Sequence, residues 1–485
     1  MKRFFIISLI FGLLLGISTP VFSQPEPPTV KVEGNIIQFA DQKPFINSDS
    51  RTLVPVRFVM EALNCEVFWD QEKREVVIKN SEKTIVLSIG EKTAQVNGKK
   101  IKFDTKAELI NGRTLVPLRF ISESLGTIVD WDATQNTILM NNPLNLKTGS
   151  NINIDEAEYA FKKEKHLHVS GIYATPEEPF IIEKYNISSD DTNGLLVENC
   201  ENIIIRKNYI HDCTWENAND PSDWNEGLAI RIVNCRNVTL ENNLIINNKI
   251  GVRLENCADI KVLNNSVNNH KTDAAIKIIN CKDYEVAYNH VKDNGLKEYF
   301  YDYSVGRSIG IWSTGECSNA DIHHNESINN TSDGISITGQ YYEKNDWTTM
   351  ASDIRVFNNY ISGNLEQGIW GVRAKNLKIY NNEIHMFKDE IGIGVGIAFE
   401  FDVSDSEIYN NRIFSREDCR AAGGFTVSHN NFFHDNILYT DHLDTEAFTF
   451  NDEGNDSREK AALAGIEYKK SSGNIIKDNH VLLKK

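Results

Sequence analysis

From Asn186 onward, apolar and polar residues alternate in runs of three to five, and run after run closes on asparagine. "ENIIIRKNYI" reaches its asparagine at Asn208, "RNVTLENNLI" at Asn243, "ADIKVLNNSV" at Asn265 and "KDYEVAYNHV" at Asn289. The series continues through Asn325, Asn359, Asn382, Asn411, Asn436 and Asn479, with shortest spacings of 22 to 25 residues. Longer spacings read as the same period carrying an inserted loop. Alternation over so few residues predicts short strands with one buried face. Three such strands per ~22 residues form one coil of a parallel β-helix, which buries its apolar side only by stacking on its neighbours. Roughly ten or eleven coils, at ~4.8 Å each, predict a rod of about 50 Å. The recurrent asparagine suits a turn because it tolerates left-handed backbone, and stacked amides can bond along the rod.

A second slot recurs in the same register. Cys200, Cys235, Cys257, Cys281 and Cys317 occupy it, followed by Ala351, Ala374 and Val403. Cys, Ala and Val at one place predict a small buried apolar position and a stack of inert thiols. Neighbouring coils would allow occasional disulfides, and a soft copper(I) site is the alternative. Cys65, Cys213 and Cys419 lie outside the slot.

Before residue 142 the pattern is different. "RTLVPVRFVMEALNCEVFWDQ" starts at Arg51 and "RTLVPLRFISESLGTIVDWDA" at Arg113, 62 residues later. Each copy predicts a strand, a Pro-started amphipathic helix and a strand ending in Trp-Asp. Asn64 and Gly126 fit helix C-caps, and Asn97-Gly98 fits a tight hairpin turn. Arg57 and Arg119 recur in both copies as candidate ligand sites, with a structural ion pair or cap as the plainer role. Lys2, Arg3 and the apolar run Phe4 to Ile17 predict a secretory signal peptide ending at Ser23.

The paired "RTLVPxRF…L…V.WD" signature resembles the copper amine oxidase N-terminal-like domain, a stalk module of secreted proteins. The segment carries no histidine, which argues against copper there. The asparagine-closed coils resemble the right-handed parallel β-helix superfamily, both its pectate-lyase-like members and its periplasmic copper-binding accessory type. The expected organisation is a signal peptide at 1–23, a linker at 24–30, the stalk domain at 31–141, a linker and cap at 142–165 and the right-handed β-helix at 166–485. The fold class is mainly β, with a small α+β tandem repeat ahead of the β-helix. "DEAEYAFKKEK" from Asp155 is expected to form a helix that caps the open end.

A net charge of −17 disfavours nucleic acid. Candidate chemistry lies in the insertions and the strand beside them. The outward slot of that strand reads Arg231, Arg253, Lys277, Trp312, Ser336, Trp370, Ala398 and Thr426. Cations running into aromatics suit a chain of acidic sugars, because guanidinium pairs with carboxylate and rings stack on sugar faces. Trp224, Tyr303 and Arg307 join this substrate-binding set from the loops, with Trp215, Tyr301 and Trp347 nearby. Arg253 or Lys277 is the candidate base of a β-elimination lyase, and Asp220 and Asp223, with Glu226, could bind Ca²⁺. Glu226 is also the candidate acid of a hydrolase, since Glu255 and Glu400 lie about five coils apart, too far to pair. His211 beside Asp212 is the more promising histidine, and His323-His324 occupy a turn.

Three functions follow as expectations. The first is an exported protein that binds an anionic polysaccharide in a groove along the β-helix, with cleavage by a lyase preferred to a hydrolase. The second is a non-catalytic surface protein attached to the cell envelope through the stalk. The third is an exported copper-handling protein. Calcium is the one cofactor admitted, and no membrane span is expected after the signal peptide.

Overall fold

A computed structural model describes residues 26–141 and 162–483, apart from 33, 81–82, 104, 126, 133–134, 191, 215–226, 298–305, 341–345, 387–393, 416–418, 420, 441–447, 451–461, 463–464 and 466–467. The expected signal peptide lies outside these residues. The chain forms two compact units, one chiefly Ile36–Leu125 and the other chiefly Leu139–Lys485.

In the first unit the two motif copies meet. Strands Thr52–Pro55 and Arg113–Pro117 pair antiparallel, with Val54 opposite Val116. Each strand leads into a helix, Val56–Ala62 and Leu118–Leu125. Pro55 is the N-cap itself, one position earlier than expected, which leaves Val56, Val59 and Met60 to bury the inner face. Asn64 follows the helix at φ 57° and Asn97-Gly98 turns at φ 49° and 78°, the double positive φ of a hairpin turn. That turn joins Thr93–Val96 to Lys99–Lys102 in the five-stranded sheet that starts at Glu66–Asp70.

The second unit is a parallel β-helix. One row of twelve strands runs from Lys162–Glu164 to His480–Leu483, and the other strands pair coil on coil in the same parallel sense. Lys162–Glu164 pairs with Tyr185–Ile187 as a strand. The expected cap helix is therefore contradicted over these residues, and residues 155–161 lie outside the described set. Tertiary pairing wins here because a strand continues the hydrogen-bonded edge that a helix would leave open. Inside the rod, Ile205, Leu240, Val262, Val286, Ile322 and Val356 stand in one file, each fully buried. Each such burial contributes about 1.5–3 kcal/mol.

The ten asparagines form a single column. Nδ2 of Asn208 donates to Oδ1 of Asn243 at 3.0 Å, and the same bond repeats from coil to coil as far as Asn479. The left-handed residue is the one before each asparagine, such as Asn242, Asn264 or Asn358. It turns the chain so that the asparagine side chain points inward. The cysteine slot is a second column. Backbone N–H of Cys235, Cys257 and Cys281 donates to Sγ of the next cysteine at 3.3–3.4 Å. Each thiol in turn donates to nearby carbonyls, as Cys257 does to Glu255 O at 3.1 Å. The slot is thus polar as well as small, and all eight cysteines are free and buried.

A third column contains one odd member. Asn248 N donates to Nδ1 of His270 at 3.2 Å, and His270 N donates to Oδ1 of Asn294 at 3.0 Å. His270 is 1 % exposed, and burial pulls its imidazole down to about 3. Its folded value lies below its unfolded one, so stability is complete above pH 6.5 and is lost as pH falls toward 3. Between pH 6.5 and 5 that loss is about 2 kcal/mol. His270→Asn restores the neighbours' side chain and should abolish it. Urea midpoints at pH 7.5 and 5.0 check this; an equal acid loss in both proteins would contradict it.

Candidate functional site

The outward row runs in register from Arg231 through Arg253, Lys277, Trp312, Ser336 and Trp370 to Ala398. It ends on Gly424 instead of the expected Thr426. Thr426 falls between strands, beside Val427 at φ 46°, so alternation breaks there. The expected open wall is not what these side chains form. Arg253 and Lys277 are 0 % and 1 % exposed. Asp273 lies between them, at 2.9 Å from Arg253 Nη2 and 2.7 Å from Lys277 Nζ. Burial would raise the Asp273 carboxyl, but Lys277 and then Arg253 outweigh it and hold it low. Both cations are closed off from solvent and bonded to one buried carboxylate, so neither is placed to meet a substrate as the elimination base. Arg231 is likewise occupied, with Nε 2.9 Å from Oε1 of Glu255.

The aromatics of this row are packing residues. Lys277 Nζ sits 4.0 Å from the Trp312 ring centre, and Trp312 Nε1 donates to Thr338 Oγ1 at 2.9 Å. Trp312 is 6 % exposed, so its ring offers no sugar platform. Trp370 packs on the cluster of Trp347, Val372, Phe401 and Val427. Trp215, Asp220, Asp223, Trp224, Glu226, Tyr301 and Tyr303 lie outside the described residues. His211 binds Asp212 through Nδ1 at 2.7 Å and Asn186 through Nε2 at 2.9 Å, so both ring nitrogens are occupied. His323 stacks on Phe357, and the stack continues through Tyr380, Tyr409 and His434 with centroids 4.7–5.3 Å apart. Those ring faces are filled by one another.

Arg307 leads to a group the sequence analysis missed. Its Nη1 is 2.7 Å from Glu366 Oε1, and Ser332 Oγ donates to Glu366 Oε2 at 2.6 Å. Asp333 accepts Ser336 Oγ at 2.8 Å and the Gln367 N–H at 3.0 Å. Asp333 and Glu366 start neighbouring coils, and since Ser336 pairs with Trp370, Asp333 stands level with Gln367 and Ser332 with Glu366, so the two acids are diagonal neighbours. The corner is tight: a Cβ on Gly334 would stand 2.7 Å from the Gly368 carbonyl oxygen. Burial, then the charges of Glu366 and Glu400, push Asp333 well above the carboxylate range. The group therefore sets a carboxyl that holds its proton more tightly than usual beside an arginine-bound carboxylate, a pairing suited to acid–base work. Its sequence signal is an acid one or two residues before a glycine, in "SDGISI" and "EQGIW".

Among the described residues, no group of three or more His, Cys, Asp or Glu side chains is placed to hold a metal ion. The thiol column does not suit copper either. Cys235 is raised by its bond to Cys257 and by burial, and Cys317 is raised by burial, whereas a metal needs thiolates. No described helix is long and apolar enough to cross a membrane.

Comparison with known proteins accords with this architecture. Residues 31–140 match the copper amine oxidase N-terminal domain, and residues 136–326 match the right handed beta helix region. No curated protein matches the chain. Similar solved structures include the A-module of a mannuronan C-5 epimerase from Azotobacter vinelandii, at 14% identity and TM-score 0.41, covering 61% of this chain and 78% of that one. An alginate lyase from Paenibacillus sp. is 8% identical at TM-score 0.40, over 59% of this chain and 98% of that one. A surface adhesin of Streptococcus pneumoniae is 12% identical at TM-score 0.41, over 67% and 81%. The chain is a copper amine oxidase N-terminal domain followed by a right-handed β-helix region.

Proposed function

We propose that this chain is an exported polysaccharide-active protein whose reaction centre is the Asp333–Glu366 pair. The observation that carries the proposal is the raised Asp333 carboxyl one coil from the arginine-bound Glu366. Asp333 is the proton donor to the leaving oxygen, and Glu366 is the carboxylate that attacks or activates water. Two carboxyls on adjoining coils are the arrangement a glycosidase uses as acid and nucleophile or base. Hydrolysis replaces elimination as the favoured chemistry, because the cations expected to serve as base are locked on Asp273. Asp333 is 2 % and Glu366 7 % exposed, so a substrate has to displace what covers them.

The second reading is a binding rod without turnover. It is favoured by the internal neutralisation of the cationic row by Glu255 and Asp273. The same neutralisation removes the reason to expect a polyanion at the β-helix row. The test is incubation of the protein with a panel of neutral and acidic polysaccharides. New reducing ends without absorbance from unsaturated sugars support the hydrolytic pair. Unsaturated products restore the lyase. Retention on a glycan column with no product establishes the second reading.

A further inference from the structure

The first unit carries an open groove of about 660 Å³ of quite different character. It lies between the start of helix Val56–Ala62, strand Glu66–Asp70 and the hairpin that precedes Arg113–Pro117. Its lining includes Arg57, Arg74 and Arg113 with Phe58, Phe68 and Trp69, and no carboxylate. Three guanidinium groups gather here in a chain whose net charge is −17, with Arg113 alone held by a close acid, Asp41.

The rings are exposed at a cost. Phe68 is 50% and Trp69 38% exposed, although large aromatics in a monomer are normally covered unless a patch serves binding. The second copy leaves the counterpart of Trp69 exposed as well, Trp131 at 42%, but covers the counterpart of Phe58. There Phe120 is 5% exposed and stacks on Phe103 at 4.3 Å. Arg57 comes from the first copy and Arg113 from the second, so the groove draws on both. Arg74 is held at φ 55°, a left-handed conformation uncommon for a residue of its size. Arg113 is anchored on Asp41 at 2.7 Å and lies 5.8 Å from the Phe58 ring centre. Arg57 reaches Glu61 only at 4.0 Å, with both side chains more than half exposed, a pairing too weak to remove it from ligand binding.

We propose that this groove binds a carboxylated polysaccharide strand, independently of the reaction proposed for the β-helix. Guanidinium forks pair with uronate carboxylates while flat rings cover the sugar C–H faces. The cavity volume falls within the range of small-ligand sites. The charge complementarity expected of the β-helix row is found here instead.

The test is titration calorimetry on the full chain with tetragalacturonate, maltotetraose of equal length, and inorganic polyphosphate. The expected result is binding of tetragalacturonate that weakens with salt, with no heat from maltotetraose. Arg74→Ala and Trp69→Ala, both at the surface, should each weaken it at least tenfold without changing the melting curve. Asp333→Asn should leave it unchanged, which separates this site from the reaction centre. Unchanged affinity in the Arg74→Ala/Trp69→Ala double variant overturns the proposal. So does equal binding of maltotetraose, tighter binding of polyphosphate, or no binding of tetragalacturonate by the unmodified chain.

Discussion

Asp333→Asn is expected to lower turnover about 10²- to 10⁴-fold while leaving glycan retention intact. The amide keeps the shape and can still meet Ser336 and the Gln367 N–H, which lie at 2.8 and 3.0 Å. It cannot deliver a proton to a leaving oxygen. The pH profile provides the sharper check. Asp333 is raised well above the usual carboxylate range by burial and by the charges of Glu366 and Glu400, so activity extends to higher pH than an ordinary carboxyl acid would allow and falls as that carboxyl ionises. The variant should lose the alkaline limb. Full turnover in Asp333→Asn would place the chemistry elsewhere.

Asp273→Ala should be the most damaging single change to the β-helix, at about 3–5 kcal/mol. It leaves Arg253 and Lys277 buried with their shared carboxylate removed, although each is 1 % exposed or less. Because each coil contacts only its neighbours, the damage should concentrate in strands Ile250–Glu255, Asp273–Ile279 and Ser308–Thr314. Hydrogen exchange resolved by peptide reads it directly, as faster exchange there than at Tyr360–Ser362. Replacing all three charges together with apolar residues should recover much of the loss, because no charge is then stranded. If the triple replacement is no more stable than Asp273→Ala, the trio is not acting as an electrostatic unit.

The β-helix was legible because one physical requirement is written ten times. Every coil needs an inward amide at one corner, and Asn208 through Asn479 supply it. The cysteine slot was legible by register, but its hydrogen bonds were not, because alanine and valine in later coils concealed that the position accepts an N–H. The candidate site was the hardest part. Alternation identifies a side chain as facing away from the core, yet Arg253 and Lys277 face away and are still covered. Their partner Asp273 is 20 residues from Arg253, and only the winding of the coil brings the two together. Asp333 and Glu366 are 33 residues apart in the chain, and neither belongs to a motif whose spacing shows in one dimension. Trp312 was read as a platform because its slot is outward, whereas Lys277 lies on its ring face.

The asparagine column has one more consequence. From Asn208 to Asn436 each Nδ2 donates to Oδ1 of the next asparagine, so every amide in the column has its oxygen toward the N-terminal side and its nitrogen toward the C-terminal side. Ten small dipoles thus point the same way, and aligned hydrogen bonds polarise one another. The rod carries a built-in electrical polarity along its axis, independent of its charged residues, and a break at its middle would divide that polarity into two weaker halves.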